Sequence, residues 1–405
     1  MNEDEITDIK NLPGVTQLRK TKTVVIQKRS ETFPVYRVPL KYLYYNKEND
    51  RISTEVIRYC TENNRELPED REEYNMIFEE LVVKSKPDAI EKTQRSIANR
   101  GQDNPGVTLK DGRVVDGNRR FTCLRRIQRE KNEEQYFETI ILDFDYKNDY
   151  KYVKSLELEL QMGVDEKVKY DPIDRLFGVY KSIRIEKAFT VEEYAALFDD
   201  YPVRDVNRDL ALADLMCEYL EFQGTPGKYY IAKDMDLEGT LHEIPAILEK
   251  VKKKNPGLVD DVKNRVFASI ATGVTSRLNL FMRDIKSVVD EGDLEKYLAD
   301  TDEAVTQTIE AIHSSPIDTY NDLSEGIRKR EDLKDKLADS VTSQKKVIDS
   351  RKEKKAPIKN SRDALNTLSA IHMDAIESMS DEDREELRSL LNKLEDKISE
   401  LRGKI

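Results

Sequence analysis

Residues 111–120 read DGRVVDGNRR, a valine-bearing strand running into Asp116, Gly117, Asn118 and the pair Arg119–Arg120. The helix expected to follow, RRFTCLRRIQRE, adds three more arginines, so five gather at one strand-to-helix junction of a chain with a formal net charge of −12. The chemistry that these residue types support is phosphate binding. Gly117 lets the backbone turn sharply and approach a ligand closely. The free N–H groups at a helix start point outward, and the helix dipole favours an anion there. Arg119 and Arg120 add fixed charge and forked donors that match phosphate oxygens. Phe121, Leu124 and Ile127 take the spacing of a buried stripe, which leaves the arginines on other faces. The same residues also suit a solvated, ion-paired helix start, a common arrangement in a chain this charged.

The elements around this junction must come from a polar chain. Of its 405 residues, 37% are charged and 38% hydrophobic, enough for a core in two to four domains. There is no run of about 18 apolar residues, so no membrane span is expected. The acidic start MNEDEITDIKNLPG lacks the character of a secretory signal, and a cytoplasmic setting is expected. Cys60, Cys123 and Cys217 are isolated and lack metal-ligand spacing. His242, His313 and His372 are equally scattered, which argues against a zinc site or a histidine triad. The acidic balance argues against a protein that coats nucleic acid with its whole surface, though not against a local basic patch.

Four segments are expected. Residues 1–31 form an arm or a single strand. Residues 32–170 form a mixed α and β domain. FPVYRVPLKYLYYN reads as a strand broken at Pro39, NKENDRI as a loop, 53–83 as interrupted helix, and 88–100 as a helix closed by Gly101. VTLKDGRVV reads as a hairpin around Asp111–Gly112, and 137–146 as a further strand. Residues 171–314 are expected to be helical over 172–187, 190–222, 240–253, 258–288 and 293–312, with a short strand at KYYIA, 228–232. Residues 315–405 form a charged helical tail: a helix over about 319–350, a basic linker DSRKEKKAPIKNSR, and helices over 362–379 and 381–404. In the last, Leu387, Leu391, Leu394, Ile398, Leu401 and Ile405 step by 4, 3, 4, 3, 4, an a/d seam capped by Ser380 with Asp383. It either closes a hairpin onto 362–379 or pairs two chains.

The run KTQRSIANRGQDNPGVTLKDGRVVDGNRRFTCLRRI resembles the ParB/sulfiredoxin superfamily, in particular the ParB-like N-terminal domain. The likeness lies in a helix, a glycine turn with a following proline, a hairpin, and a Gly-x-Arg-Arg box opening a helix. Upstream, VYRVPLKYLYYNKENDRI is similar to the family's first strand, its Asn-containing loop and its Arg. Downstream, LELELQMG and YDPIDRLFGVYKSI resemble its second box. The resemblance covers about 32–222 and implies an α+β fold: a ParB/sulfiredoxin-like domain, an all-helical region, and a helical hairpin or coiled-coil tail. It also implies binding of CTP or ATP with magnesium. Gly117, Arg119 and Arg120 would hold the triphosphate, with Asn118 in the same box and Gln102 beside the nucleotide. Glu159 and Gln161 would lie near the metal, although this box lacks the family's Glu-Asn pair. Two departures matter. Asn118 replaces the family's Glu, which points to slow or absent hydrolysis. It also stands where sulfiredoxins carry their reactive cysteine, whereas Cys123 lies further along the helix, so sulfinic-acid reduction is disfavoured. The superfamily's free-serine kinases need a carboxylate base, for which Glu159 or Asp116 would serve.

TVEEYAALFDDYPVRDVNRDLALADLMCEYLEF, 190–222, has the layout of a helix-turn-helix. Its best base-reading candidates are Arg204, Asn207 and Arg208, set among Asp205, Asp209 and Asp214, and a purely packing helix pair fits the same residues. The expectation is a nucleotide-binding switch protein, homodimeric and able to contact DNA. Two alternatives stand beside it. One is an interaction protein of a mobile element or defence system acting through the tail, and the other is a small-molecule phosphotransferase.

Overall fold

The computed structural model describes residues 8–26, 29–146, 148–163 and 171–405, the side chains of 161–163 excepted. Six strands form one mixed sheet among these residues: β1 (Thr16–Ile26), β2 (Arg29–Pro39), β3 (Tyr44–Tyr45), β4 (Gly106–Leu109), β5 (Arg113–Asp116) and β6 (Tyr136–Leu142). Their order is β1-β2-β6-β4-β5-β3, with β4/β6 and β3/β5 parallel and the other neighbours antiparallel. The strand alternative for the N-terminal segment is therefore the one observed, since Thr16–Ile26 pairs along β2. The strand expected over 137–146 stops at Leu142.

Strand alternation divides the sheet's two faces. Val38, Val114, Phe137 and Ile141 pack on one side with Phe78, Ile90, Phe121, Leu124 and Ile127. Those partners come from α2 (Arg71–Ser85), α3 (Pro87–Arg100) and α4 (Asn118–Lys131), which follow α1 (Ser53–Glu62) in the chain. The opposite face, with Val35, Val107, Val115 and Ile140, packs on Val153 and Leu156 of α5 (Tyr150–Gly163). Strand β4 is buried at every residue because it is covered from both sides.

The rest is helical: α6 (Pro172–Tyr180), α7 (Val191–Ala195), α8 (Val203–Phe222), α9 (Tyr229–Asp234), α10 (Glu238–Leu241), α11 (Ile244–Lys254), α12 (Val259–Thr272), α13 (Leu278–Glu291), α14 (Leu294–Ser314), α15 (Tyr320–Leu323), α16 (Glu331–Ser369), α17 (Met373–Glu377) and α18 (Asp381–Arg402). The molecule is α+β.

Several expected boundaries shift for identifiable reasons. KYYIA is helix, not strand: Tyr229, Tyr230, Ile231 and Ala232 are all buried, and a short apolar run enclosed on every side carries no periodicity to separate the two. The helix expected over 258–288 breaks at Gly273, which ends α12 in the left-handed conformation at φ 63°. The basic linker is helix as well. α16 runs 39 residues straight through it, Pro357 included, because Lys, Arg, Glu and Ala all favour helix. Leu333, Leu337, Val341 and Ile348 bury the first half of α16 in the helical body.

Candidate functional site

Strand β5 delivers the chain at Asp116 to Gly117, which holds φ 99° at the position capping α4. A Cβ there would stand 2.8 Å from the Phe137 ring, so only glycine fits this turn. No side chain caps the start of α4, and its first turn holds no acid. The amide groups that open a helix have no partner within it, so this end presents donors and positive potential together. The Asn118 Oδ1 atom is buried there without a hydrogen-bond partner.

The paired arginines diverge. Arg120 turns back on the loop before the hairpin. Its guanidinium donates to Asp116 Oδ2 at 3.0 Å, to Pro105 O at 3.4 Å and to Asn104 O. Lys22 of β1 adds bonds to Pro105 O at 2.6 Å and Asp116 Oδ2 at 3.3 Å. Gln102 is committed to the backbone too. Its amide donates to Glu138 O at 2.6 Å and accepts from Glu138 N at 2.9 Å, extending the β6 ladder by a side chain. Both residues shape the turn.

Arg119 points elsewhere. It is half-buried and makes no hydrogen bond or ion pair with a described residue. Burial and then the neighbouring Arg51 guanidinium lower its pKa, with Arg120 adding to the effect. Lys86, at the start of α3, is lowered by burial and then by Arg51 and Arg119. Lys233 of α9 also lowers it, and Asp171 opposes them. Arg51 from the loop before α1 and Lys86 at the start of α3 thus neighbour Arg119 of α4, while Lys233 of the helical body neighbours Lys86 and is itself paired with Asp174 and Glu55. Such a grouping favours an anion at its centre.

Arg51 belongs to a loop, 46–52, that crosses the sheet edge beyond β3. Asn46, Glu48 and Asp50 of this loop bond toward α5 and the segment after α6. Lys154, fully buried on α5, donates to Asp50 at 2.8 Å and to Glu48 O at 2.9 Å. Asn46 donates to Glu157 at 3.0 Å, and Lys181 to Glu48 at 2.5 Å. Burial pushes the Glu157 carboxyl up to about 7. Directly after the loop, Thr54 of α1 donates to the buried Asp174 of α6 at 2.5 Å, and Lys233 reaches the same carboxylate at 2.8 Å. Burial raises Asp174 to about 6. The sequence marks 46–52 as a loop because Asn and Asp favour turns, and the family likeness extends to its asparagine and its Arg, but neither announces the buried ionic group. Lys86, Lys154, Lys233 and Asp174 carried no local signal.

The remaining expected site residues lie apart from this junction. Glu159 stands on α5, in the layer across the sheet from α4. The Gln161 side chain lies outside the described residues. Among the described residues, no group of three or more His, Cys, Asp or Glu side chains converges to hold a metal. Arg204, Asn207 and Arg208 are exposed on the first turns of α8. Arg208 bonds Asp205 at 3.1 Å and Asp209 at 3.2 Å, and Arg204 bonds Asp205 at 3.4 Å, so each arginine meets a carboxylate on its own helix. The preceding α7 has only five residues, far short of the first helix expected for a helix-turn-helix. Cys123 is buried against Ile90, and burial pushes its thiol up to about 12, so it is no nucleophile.

No family model and no curated protein matches the chain. Among solved structures, it is similar to a Pnob8-like ParB-N domain at 12% identity and a TM-score of 0.37, with 71% of this chain covering 99% of that one. No helix of the described residues is long and apolar enough to cross a membrane.

Proposed function

We propose that this chain is a nucleotide-binding switch protein. The triphosphate of CTP or ATP docks at the start of α4, and hydrolysis is slow or absent. One observation carries the reading: Arg119 stands with Arg51 and Lys86 as neighbours at an uncapped helix start behind a left-handed glycine. The residues present fit a polyanion. Magnesium enters as the partner of the phosphate oxygens, since Mg²⁺ is commonly held through one or two protein groups and the phosphates themselves. Asn118 brings an amide, not a carboxylate, to the junction, and the nearby Asp116 carboxylate is engaged by Arg120 and Lys22, which disfavours activation of water there. Lys233, which neighbours Lys86, sits on the helical body, and these three cations sit on the sheet domain. An anion among them favours the arrangement that brings both parts together, which is the basis of a switch.

Calorimetric titration of CTP, ATP and GTP with magnesium tests this. The wild type is expected to bind at least one of them. Arg119→Ala is expected to weaken that binding by tenfold or more, about 1.4 kcal/mol. Absence of binding by the wild type, or equal binding by Arg119→Ala, would sink the reading.

The interaction-protein reading is favoured by a separate observation. Residues 349–405 bury no side chain against the rest of the chain, an arrangement suited to a partner. The start of α8, with its internally matched charges, supports DNA contact less well.

A further inference from the structure

Beyond residue 348 no side chain is buried, yet α18 carries a continuous apolar stripe. Leu391, Leu394, Ile398 and Leu401 are 39–49% exposed, and Leu387 is half-buried. The stripe steps at 4-3 spacing, the pattern that seats one helix on another. A stripe of this size left in water is a binding surface.

We propose that α18 pairs with α18 of a second copy of this chain, in antiparallel orientation. The alternative cover within the chain is a fold-back onto α16. At about 1.5 Å per residue along both helices, a fold-back from Ser380 sets Leu401 beside about residue 349, and Ile405 beside about 345. That stretch is charged and already paired: Lys345 bonds Asp349 at 2.7 Å, and Lys352 bonds Glu291 at 2.7 Å. Ile358 and Leu365 would meet only the first half of the seam. A second α18 offers apolar residues to Leu387, Leu391, Leu394 and Ile398 alike.

The flanking charges select the orientation. In an antiparallel pair Leu387 sits opposite the partner's Ile398, and Leu391 opposite the partner's Leu394. Arg388 then lies beside the partner's Glu395, and Asp383 beside the partner's Lys404. In a parallel pair Lys397 faces the partner's Arg402, and Arg384 meets its own copy in the seam. Exposed pairs of this kind add little energy, but they decide register and direction. The antiparallel contact is also isologous, so it closes as a dimer without leading to filaments. Arg388 exchanges its present partner on the same helix, Glu385 at 2.5 Å, at small cost.

Sedimentation equilibrium of the full chain without nucleotide tests the pairing independently of the proposed anion site. A monomer–dimer equilibrium is expected. Leu394→Asp should shift it to monomer with unchanged circular dichroism and melting temperature, because Leu394 supports nothing in its own chain. A wild type that stays monomeric across the concentration series, or a Leu394→Asp variant that still dimerises, overturns the proposal. For direction, Leu391→Cys and Leu394→Cys variants are mixed and oxidised. A 391–394 crosslink is the expected product. Crosslinking of each variant only to itself overturns the antiparallel arrangement.

Discussion

Arg119 and Arg120 are adjacent in sequence and opposite in use. Arg120 spends its guanidinium on Asp116 and on two carbonyls of the 101–105 loop, so it belongs to the turn that shapes the site. Arg119 sits half-buried beside Arg51 and Arg120 with no ion pair to a described residue. The two alanine variants should therefore separate stability from binding. Arg120→Ala is expected to cost about 1–2 kcal/mol in urea unfolding, since it removes a half-buried ion pair and the charged donor to two loop carbonyls. Arg119→Ala is expected to leave stability unchanged or raise it slightly, because it relieves repulsion, while it loses nucleotide affinity. Strained, like-charged groupings are where stability is commonly given up for function. A larger stability loss for Arg119→Ala than for Arg120→Ala would contradict this division. The Gly-x-Arg-Arg spacing made the junction visible in the sequence. It did not reveal which arginine is tied into the turn, because that depends on Asp116 and Lys22 arriving from two strands.

At the scale of elements, the loop 46–52 does what no local pattern announces. Arg51 faces the α4 junction, while Asn46, Glu48 and Asp50 enter a buried ionic group with Lys154, Glu157 and Lys181. Against the cost of burial, Asp50 and Glu157 keep Lys154 well above its ordinary pKa, so it stays charged. Glu157 behaves in the opposite way, with its carboxyl raised from 4.5 to about 7 by burial. The folded chain therefore binds a proton at Glu157 more tightly than the unfolded chain does. Stability contributed by that proton is present below pH 4.5 and falls as pH rises toward about 7. Asp174, raised from 3.8 to about 6, adds a slope of the same sign over its own window. Glu157→Gln keeps an acceptor for Asn46 and removes the titration. Denaturant midpoints measured from pH 5 to pH 8 should fall less steeply for Glu157→Gln than for the wild type. Parallel curves would show that Glu157 does not carry the slope. The helices and the β4–β5 hairpin were legible because each has its own punctuation: Gly101, Asp111–Gly112, Gly117. The helical state of 229–234 was not, since it is decided by neighbours brought from elsewhere in the chain, and the extension of α16 was masked by Pro357 within a run of good helix formers.

At the scale of the molecule, the α+β division was legible from the change of periodicity near residue 172. The way the two parts are joined was not. α1 meets the helical body through charges: Arg58 with Asp234 at 2.6 Å, and Lys233 with Glu55 at 3.2 Å and Asp174 at 2.8 Å. Asp174 is only 2% exposed, so its carboxylate depends on Lys233 and Thr54 for compensation. Lys233 also neighbours Lys86, one of the cations of the proposed site. One residue thus ties the sheet domain to the helical body and lies beside that group. Lys233→Met is expected to cost about 2–3 kcal/mol, less than for a wholly enclosed pair because the lysine is partly exposed. It should also uncouple the two parts. In the wild type, nucleotide at about 100 times its Kd should raise a single cooperative transition by about 2.7 kcal/mol. In Lys233→Met, melting followed by tyrosine absorbance and by far-ultraviolet circular dichroism should resolve two transitions, and nucleotide should shift only the one that belongs to the sheet. If nucleotide raised both transitions of Lys233→Met equally, the coupling would have to run through the Arg58–Asp234 contact or the Lys154 group.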